Sequence, residues 1–302
     1  MTLYGRNESG KKKITIRDFK PYFYVLLEEF VSDDAITDEE FGYTSVYGED
    51  LRKVFVSNPS EVPRIREKFT KAWESDIPYA RRFLIDKKIT SGFTDEYEPC
   101  SPPEVMPIIF YLDIEVYSGT QMPDPERDMI TCFCFYYDEK YYSAIVSSGD
   151  SLTSLGNNSW IPLTFPDEKS LVKYLLYVLN WQICDVISGW NIGWDLEYIE
   201  KRAKVLGLEL KLDGVCTFDL YAAYRRLEEM ESSLCIHQIA VGGITTEDQP
   251  NVNYAKMFDE DKPGLLNRNK NHTEWCVKID QKLKITDYYW NLKETAGLES
   301  LE

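Results

Sequence analysis

Histidine is almost missing from this chain, with only His237 and His272 among 302 residues. So small a supply of imidazole argues against a zinc centre, which draws chiefly on Cys and His. The seven cysteines (Cys100, Cys132, Cys134, Cys184, Cys216, Cys235 and Cys276) contain no C-x-x-C pair and are scattered through apolar segments. They read as reduced core residues, so an intracellular, cytoplasmic protein is expected. No run of about 18 apolar residues offers a membrane span. The polar, basic N-terminus has no apolar signal-peptide core, and neither an internal repeat nor a low-complexity tract is visible. Positive charge is scarce too: 34 Lys and Arg against 51 Asp and Glu leave a net charge of −17. A generic nucleic-acid coat would be basic, which this chain is not.

What is present is enough apolar and aromatic residue (21 Tyr, 14 Phe, 7 Trp) for one large or two medium domains. The most informative stretch is Pro107-Ile108-Ile109-Phe110-Tyr111-Leu112-Asp113-Ile114-Glu115-Val116. It reads as a buried strand interrupted near its end by two acids. Strand side chains alternate, so Asp113 and Glu115 leave one face, roughly 7 Å apart. Unpaired buried charge is costly, and the usual resolution is a divalent cation. The alternative is a strand end whose acids are solvated.

Upstream, Lys13–Phe19 and Pro21–Val25 read as strand, turn and strand, and residues 51–56 as another strand. Pro59 to Pro63 opens a helix expected to run to about Trp73, and a turn and short helix cover 73–86. The acidic, Pro-rich segment from Thr94 to Pro103 is the best domain boundary. Downstream of the acidic strand, strands are expected near 129–137 and 141–147 as an antiparallel meander, followed by a loop over 147–159. Asp167 should cap a helix carrying Leu171, Val172, Leu175, Leu176, Val178 and Leu179. A short strand, Asp185–Trp190, leads into Asn191-Ile192-Gly193-Trp194-Asp195 and a helix stopped by Gly207. Phe218-Asp219-Leu220-Tyr221 starts another helix, and a further one is expected over 234–241. Residues 242–264 read as loop, and a long helix is expected from about Asn271. Three leading strands, then helix, strand and helix, is the order of a ribonuclease-H-like α/β sheet.

Three signals fall in order: Asp113-x-Glu115 on a strand, Asn191-x-x-x-Asp195 at a strand-to-helix junction, and the FDLY run at 218–221. Together they resemble the proofreading 3′–5′ exonuclease module of family-B DNA polymerases. Lys20-Pro21-Tyr22-Phe23-Tyr24, Asn58-Pro59-x-x-Val62-Pro63 and Asp76–Asp86 are similar to the N-terminal domain of the archaeal members. The resemblance implies a small α+β N-terminal domain over 1–104 that binds single-stranded template. A ribonuclease-H-like exonuclease domain, a mixed sheet flanked by helices, would occupy 105–285. Residues 286–302 would begin the segment returning to the N-terminal domain. It further implies a template-uracil pocket formed by Pro21, Tyr22, Pro59, Val62, Ile77, Pro78, Tyr79, Arg82 and Phe83. Packing of the small domain is the alternative role for those residues.

The implied chemistry is hydrolysis of a terminal phosphodiester by two Mg²⁺ or Mn²⁺ ions. Asp113 would bridge the ions, Glu115 would hold one and orient water, Asp195 would bind the second, and Asn191 would brace the substrate or loop. Phe110, Tyr111, Trp194 and Tyr198 could stack on a frayed strand, with core packing as the other use. The family's third motif, Tyr-x-x-x-Asp, aligns with Arg268-Asn269-Lys270-Asn271-His272, so Arg268 replaces the tyrosine and His272 the aspartate. A neutral imidazole is a poor Mg²⁺ ligand, and Arg268 adds a positive charge. A weakened or lost exonuclease is therefore expected, with Asp280 and Asp287 as second choices for the missing acid. The resemblance implies DNA as partner (template and primer 3′ end). Polymerase domains, in cis or as a split subunit, and through them a sliding clamp are also implied. No membrane partner is. Those domains would carry much of the basic surface; local candidates are Lys11–Lys13, Arg81-Arg82, Lys87-Lys88 and Arg225-Arg226. This chain alone should not polymerise. The competing function is a catalytically inactive DNA-binding module with template-uracil recognition.

Overall fold

The computed structural model describes residues 1–7, 10–90, 92–94, 96, 98–100, 107–119, 121–180, 184–228, 236 and 252–296. Two compact units have Met1–Val105 and Met106–Ala296 as their main segments.

The first unit opens with a hairpin of β1 (Thr2–Asn7) and β2 (Gly10–Thr15). A four-stranded antiparallel sheet follows, built from β3 (Tyr22–Leu26), β4 (Ile36–Thr44), β5 (Asp50–Val56) and β6 (Ala72–Trp73) in the order β4-β5-β3-β6. Alternate residues Phe23, Val25, Val54 and Val56 point inward and meet Ile65 and Phe69. Asn58 caps the turn before Pro59 by accepting from Ser60 N at 3.1 Å. The helix α1 (Val62–Arg66) then ends well before Trp73. The expected longer helix loses to sheet pairing, because Ala72 and Trp73 pair with Val25 and Tyr24. The short helix α2 (Tyr79–Asp86) lies where expected, and β7 (Gly92–Phe93) pairs with β8 (Pro99–Cys100).

The second unit holds a six-stranded mixed sheet. Its strands are β9 (Ile109–Val116), β10 (Ile130–Tyr137), β11 (Lys140–Val146), β12 (Trp160–Phe165), β13 (Val186–Gly189) and β14 (Cys216–Asp219). The order is β12-β11-β10-β9-β13-β14. β9, β10 and β11 form the expected antiparallel meander, while β13 lies parallel to β9. β12, absent from the sequence reading, runs parallel to β11 after a 3₁₀ turn at Asp150–Leu155.

Alternation along β9 assigns the two faces. Phe110, Leu112, Ile114 and Val116 pack with α3 (Glu168–Val178) and α4 (Ile192–Val205) through Leu171, Leu175, Ile192 and Ile199. Asp167 caps α3 by accepting from Ser170 N at 2.8 Å, and Gly207 ends the turn after α4 at φ +69°. The odd-numbered face, beginning with Tyr111, meets α5 (Leu220–Leu227), α7 (Lys262–Leu283) and α8 (Ile285–Ala296) through Leu220, Trp275, Ile279 and Ile285. The expected loop over 242–264 is corrected where it is described: α6 (Tyr254–Glu260) is helical, and α7 starts nine residues before Asn271. Asn253 and Asp261 cap these helices, and Pro263 occupies the first turn of α7. The helix expected at 234–241 lies almost wholly outside the described residues.

Two expected outcomes follow from this framework. A Cβ at Gly189 would sit 2.5 Å from Leu112 O, a backbone atom that cannot swing away. Gly189→Ala should therefore lower the unfolding midpoint, with a cost of about 1–3 kcal/mol for overpacking. In α7, burial works to raise the Glu274 carboxyl, but hydrogen bonds from Lys270 and Lys278 outweigh it and hold it below its usual value of 4.5. A lowered carboxyl stabilises above the unfolded value and loses that contribution as pH falls through the folded one. Glu274→Gln should cost about 0.5 kcal/mol at pH 7 and progressively less as the pH falls below 4.5 by denaturant titration, the charges being partly solvated.

Candidate functional site

β13 pairs with β9 only as far as Tyr111, so the edge of β9 beyond it is free of strand partners. Into this gap α4 brings Asp195 in its first turn, and its Oδ1 accepts from Ile114 N at 3.3 Å. The free end of β9 thus carries Asp113 and Glu115 on the α7 face and holds Asp195 at its edge. The position is the carboxyl end of a central strand with an antiparallel neighbour on one side and a parallel one on the other.

α7 closes the α7 face. Asn269 Nδ2 donates to Asp113 O at 3.1 Å and Asp113 Oδ2 at 2.7 Å. His272 Nδ1 lies 3.5 Å from Asp113 Oδ2 and 3.3 Å from Glu115 Oε1. One ligand atom each from Asp113, Glu115 and His272 falls within 4.8 Å of the others, the arrangement of a metal-binding cluster. Burial, with the Asp113 charge adding, pushes the Glu115 carboxyl up to about 7, against the pull of His272. Burial and then the Asp113 charge raise the Asp195 carboxyl well above its usual range. Burial alone would lower the His272 imidazole, yet its two carboxylate partners carry it up to about 9. Three crowded acids with too little positive charge around them are what a cation would relieve. Among the described residues Glu115 Oε1 and Asn269 Oδ1 are also enclosed without accepting a well-formed hydrogen bond. The donor set fits a divalent ion.

The other sequence candidates fall in different places. Arg268 is half-buried, its Nε 3.4 Å from the Tyr254 hydroxyl and its guanidinium over that ring. Burial lowers the Arg268 guanidinium, opposed by the charges of Glu115 and Asp113. Asn191 caps α4 in the left-handed conformation, φ 61°, with its side chain exposed. Its amide N donates to Asp219 Oδ1 at 3.1 Å, and Asp219 also caps α5 through Tyr221 N and Ala222 N. The FDLY aspartate therefore braces the Asn191 turn. Asp280, a second choice for the missing acid, accepts from the Tyr111 hydroxyl and from Thr286 N, closing the turn between α7 and α8. Asp287 is exposed beside Lys284. Neither joins the cluster. Phe110 is core, stacked on Phe135; Trp194 is half-buried against Tyr198, whose hydroxyl donates to Asp128 O.

Asn269 and Tyr254 went unrecognised in the sequence. Asn269 stands three residues before His272, so it shares that helix face, a spacing that could have marked it. Burial, then the charges of Glu115 and Asp113, raises the Tyr254 phenol, which places it near the acids. It lay in the segment read as loop.

In the first unit, Pro21, Tyr22, Pro59, Val62, Ile77, Pro78, Tyr79 and Arg82 line one cavity of about 190 Å³, with Pro63 and Ser75. That is below the roughly 300–1,000 Å³ of drug-sized sites, a size for a single flat ring. Phe83, the ninth candidate, is not among the lining residues: it is buried with Leu3, Ile16, Ile89 and Phe93. Tyr22 donates to Asp86 at 2.8 Å, and Arg82 pairs with Glu74 while stacking over the Tyr22 ring.

A mixed sheet with helices on both faces and carboxylates gathered at the end of its central strand is a ribonuclease-H-like fold. Residues 93–234 match the family model described as DNA polymerase family B, exonuclease domain. Over these residues the chain is similar to the exonuclease domain of the family-B DNA polymerases. It is 30% identical over 226 residues to a DNA polymerase of Methanocaldococcus jannaschii, covering 65% of this chain and 13% of that protein. It is 27% identical over 268 residues to a DNA polymerase of Thermococcus gorgonarius, covering 73% of this chain and 32% of the relative. The chain thus spans a third or less of these relatives. The structure of the family B DNA polymerase from Pyrobaculum calidifontis shares the fold, with a TM-score of 0.73 at 18% identity over 99% of this chain and 45% of that one. Among the described residues no helix is long and apolar enough to cross a membrane.

Proposed function

We propose that this chain is the N-terminal and proofreading exonuclease portion of a family-B DNA-directed DNA polymerase. It would remove 3′-terminal nucleotides from DNA by metal-assisted hydrolysis, at a reduced rate. The observation that carries the reading is His272 facing Asp113 and Glu115, where the third motif would supply an acid. Bound divalent ions supply the activated water and the charge that stabilises the leaving oxygen. Asp113, oriented by Asn269, and Glu115 would hold the metal, and Glu115 would also align the water. Asp195, anchored on Ile114 N, adds negative charge beside them. Asn191, exposed one turn before Asp195, is placed to meet the incoming strand. His272 contributes one negative charge fewer than an aspartate, and Arg268 adds a competing cation, so Mg²⁺ is held poorly. In this proposal residues 1–104 bind template and 105–285 carry the hydrolysis. The polymerase domains, and a clamp through them, would lie in cis or on a second chain. Incubating the chain with 3′-labelled single strands tests this. Release of mononucleotides in Mn²⁺, slower in Mg²⁺ and stopped by chelator, is expected; no release in either ion would overturn it.

The cavity of the first unit favours a second reading, a DNA-binding module that recognises template uracil and does not turn over. Stacking one base on an aromatic platform is worth about 1–3 kcal/mol, so a uracil-containing strand should bind about fivefold tighter or more than its thymine counterpart. Val62→Trp, which fills the cavity, should erase the difference in fluorescence polarisation, and Tyr22→Ala or Arg82→Ala should reduce it. Equal affinity for both strands in the unmodified chain would remove this reading.

A further inference from the structure

The donor atoms around His272 are spaced for one ion. His272 Nδ1 stands 3.3 Å from Glu115 Oε1 and 3.5 Å from Asp113 Oδ2. Ligands held about 2.1–2.2 Å from a single ion, at octahedral or tetrahedral angles, lie about 3.0–3.6 Å from one another. An imidazole nitrogen aimed between two carboxylate oxygens needs positive charge on its lone-pair axis, either a proton or a metal. Glu115 Oε1 and Asn269 Oδ1 are enclosed acceptors lacking a well-formed hydrogen bond, and Asn269 belongs to a residue that is fully buried. Its Nδ2 donates to Asp113 Oδ2, so the amide is oriented by the carboxylate and fixes that ligand as an outer-sphere partner would. A second ion is disfavoured by Arg268, one helical turn before His272, whose positive charge acts on both Glu115 and Asp113.

We infer that Asp113, Glu115 and His272 form a mixed nitrogen–oxygen site for a single transition ion, Mn²⁺ in preference to Mg²⁺, not a pair of Mg²⁺ ions. The inference rests on the reading of Asp113 and Glu115 as metal ligands. One imidazole among two carboxylates shifts preference away from the hard, oxygen-seeking Mg²⁺. Asn269 is a positioning residue, holding Asp113 in the rotamer that faces the ion. Asp195, outside the three-atom cluster, contributes field without ligation.

Titration of the full chain with Mn²⁺ alone, read by calorimetry and by electron spin echo spectroscopy, decides the matter without DNA. One site per chain is expected that disappears in Asp113→Ala, binds Mn²⁺ at least tenfold tighter than Mg²⁺ by competition, and shows ¹⁴N modulation from the imidazole. His272→Asp puts a carboxylate in the same place, and should abolish the nitrogen signal and narrow the Mn²⁺ over Mg²⁺ preference about tenfold or more. Outer-sphere loss in Asn269→Ala should weaken Mn²⁺ by about 10–100-fold while keeping the ¹⁴N modulation. Two spin-coupled Mn²⁺ ions, equal affinity for Mg²⁺, no ¹⁴N modulation, or a site that survives Asp113→Ala would each overturn the inference. The outcome separates from that of the nuclease assay. A chain that cleaves DNA with two Mg²⁺ ions sinks the single-ion site alone, and a chain with the single Mn²⁺ site but no cleavage sinks the nuclease reading alone.

Discussion

Asp113→Ala is expected to abolish metal-dependent release of 3′ nucleotides, while His272→Asp raises the Mg²⁺-supported rate. Asp113 is the residue on which the site converges: Asn269 donates to it, His272 faces it, and its charge raises both Glu115 and Asp195. Metal assistance contributes several kcal/mol, so its loss should cost about a thousandfold or more. His272→Asp replaces a nitrogen ligand by a hard oxygen and restores one negative charge, and about 10–100-fold gain with Mg²⁺ is expected. Single-turnover cleavage of a 3′-labelled strand measures both changes. A His272→Asp variant no faster than the parent would mean that the replaced acid is not what limits this domain.

Removing Glu168 is expected to destabilise the second unit by about 3–5 kcal/mol, because Arg202 would be left enclosed without its counter-charge. The two side chains meet in a bidentate pair, Nε to Oε1 and Nη2 to Oε2, both at 2.7 Å, and each is nine-tenths buried. Glu168 Oε1 also accepts from Ile130 N at 2.8 Å, and Arg202 Nη1 donates to Pro125 O and Glu126 O. The pair therefore ties the start of α3 and the end of α4 to the segment entering β10. At roughly 2–4 °C per kcal/mol for a unit of this size, Glu168→Ala should lower Tm by about 6–20 °C. Glu168→Met with Arg202→Met should cost less than Glu168→Ala alone, since no charge is left stranded. A loss below about 1 kcal/mol in Glu168→Ala would show that water reaches the pair.

Much of this was legible along the chain because it depends on local rules. The period-2 pattern of β9, the Asp167 cap and the Asn191 turn with Gly207 beyond α4 are each dictated within a few positions. Missed features were of another kind. β12 is short and follows a polar stretch, so it is a strand only because β11 offers it an edge. α1 stops at Arg66 because Ala72 and Trp73 find β3, a partner some 48 residues away in sequence. α6, which carries Tyr254, hid inside a segment whose glycines and polar residues read as loop. Phe83 was placed with the cavity residues, but it is taken up by packing against Leu3 and Ile16 of the hairpin, far from α2 in sequence.

By itself the sequence determined which residue types stand where the chemistry is expected: two acids on one strand face, one at a helix start, and Arg268 and His272 four residues apart on one helix face. Only the tertiary structure decided that His272, and not Asp280 or Asp287, meets those acids. Periodicity tells which side of a helix a residue occupies, but not which strand that side will face or how far along it. Those depend on the register between α7 and β9, set by packing among residues more than 150 positions apart, such as Asn269 on Asp113 and Asp280 on Tyr111.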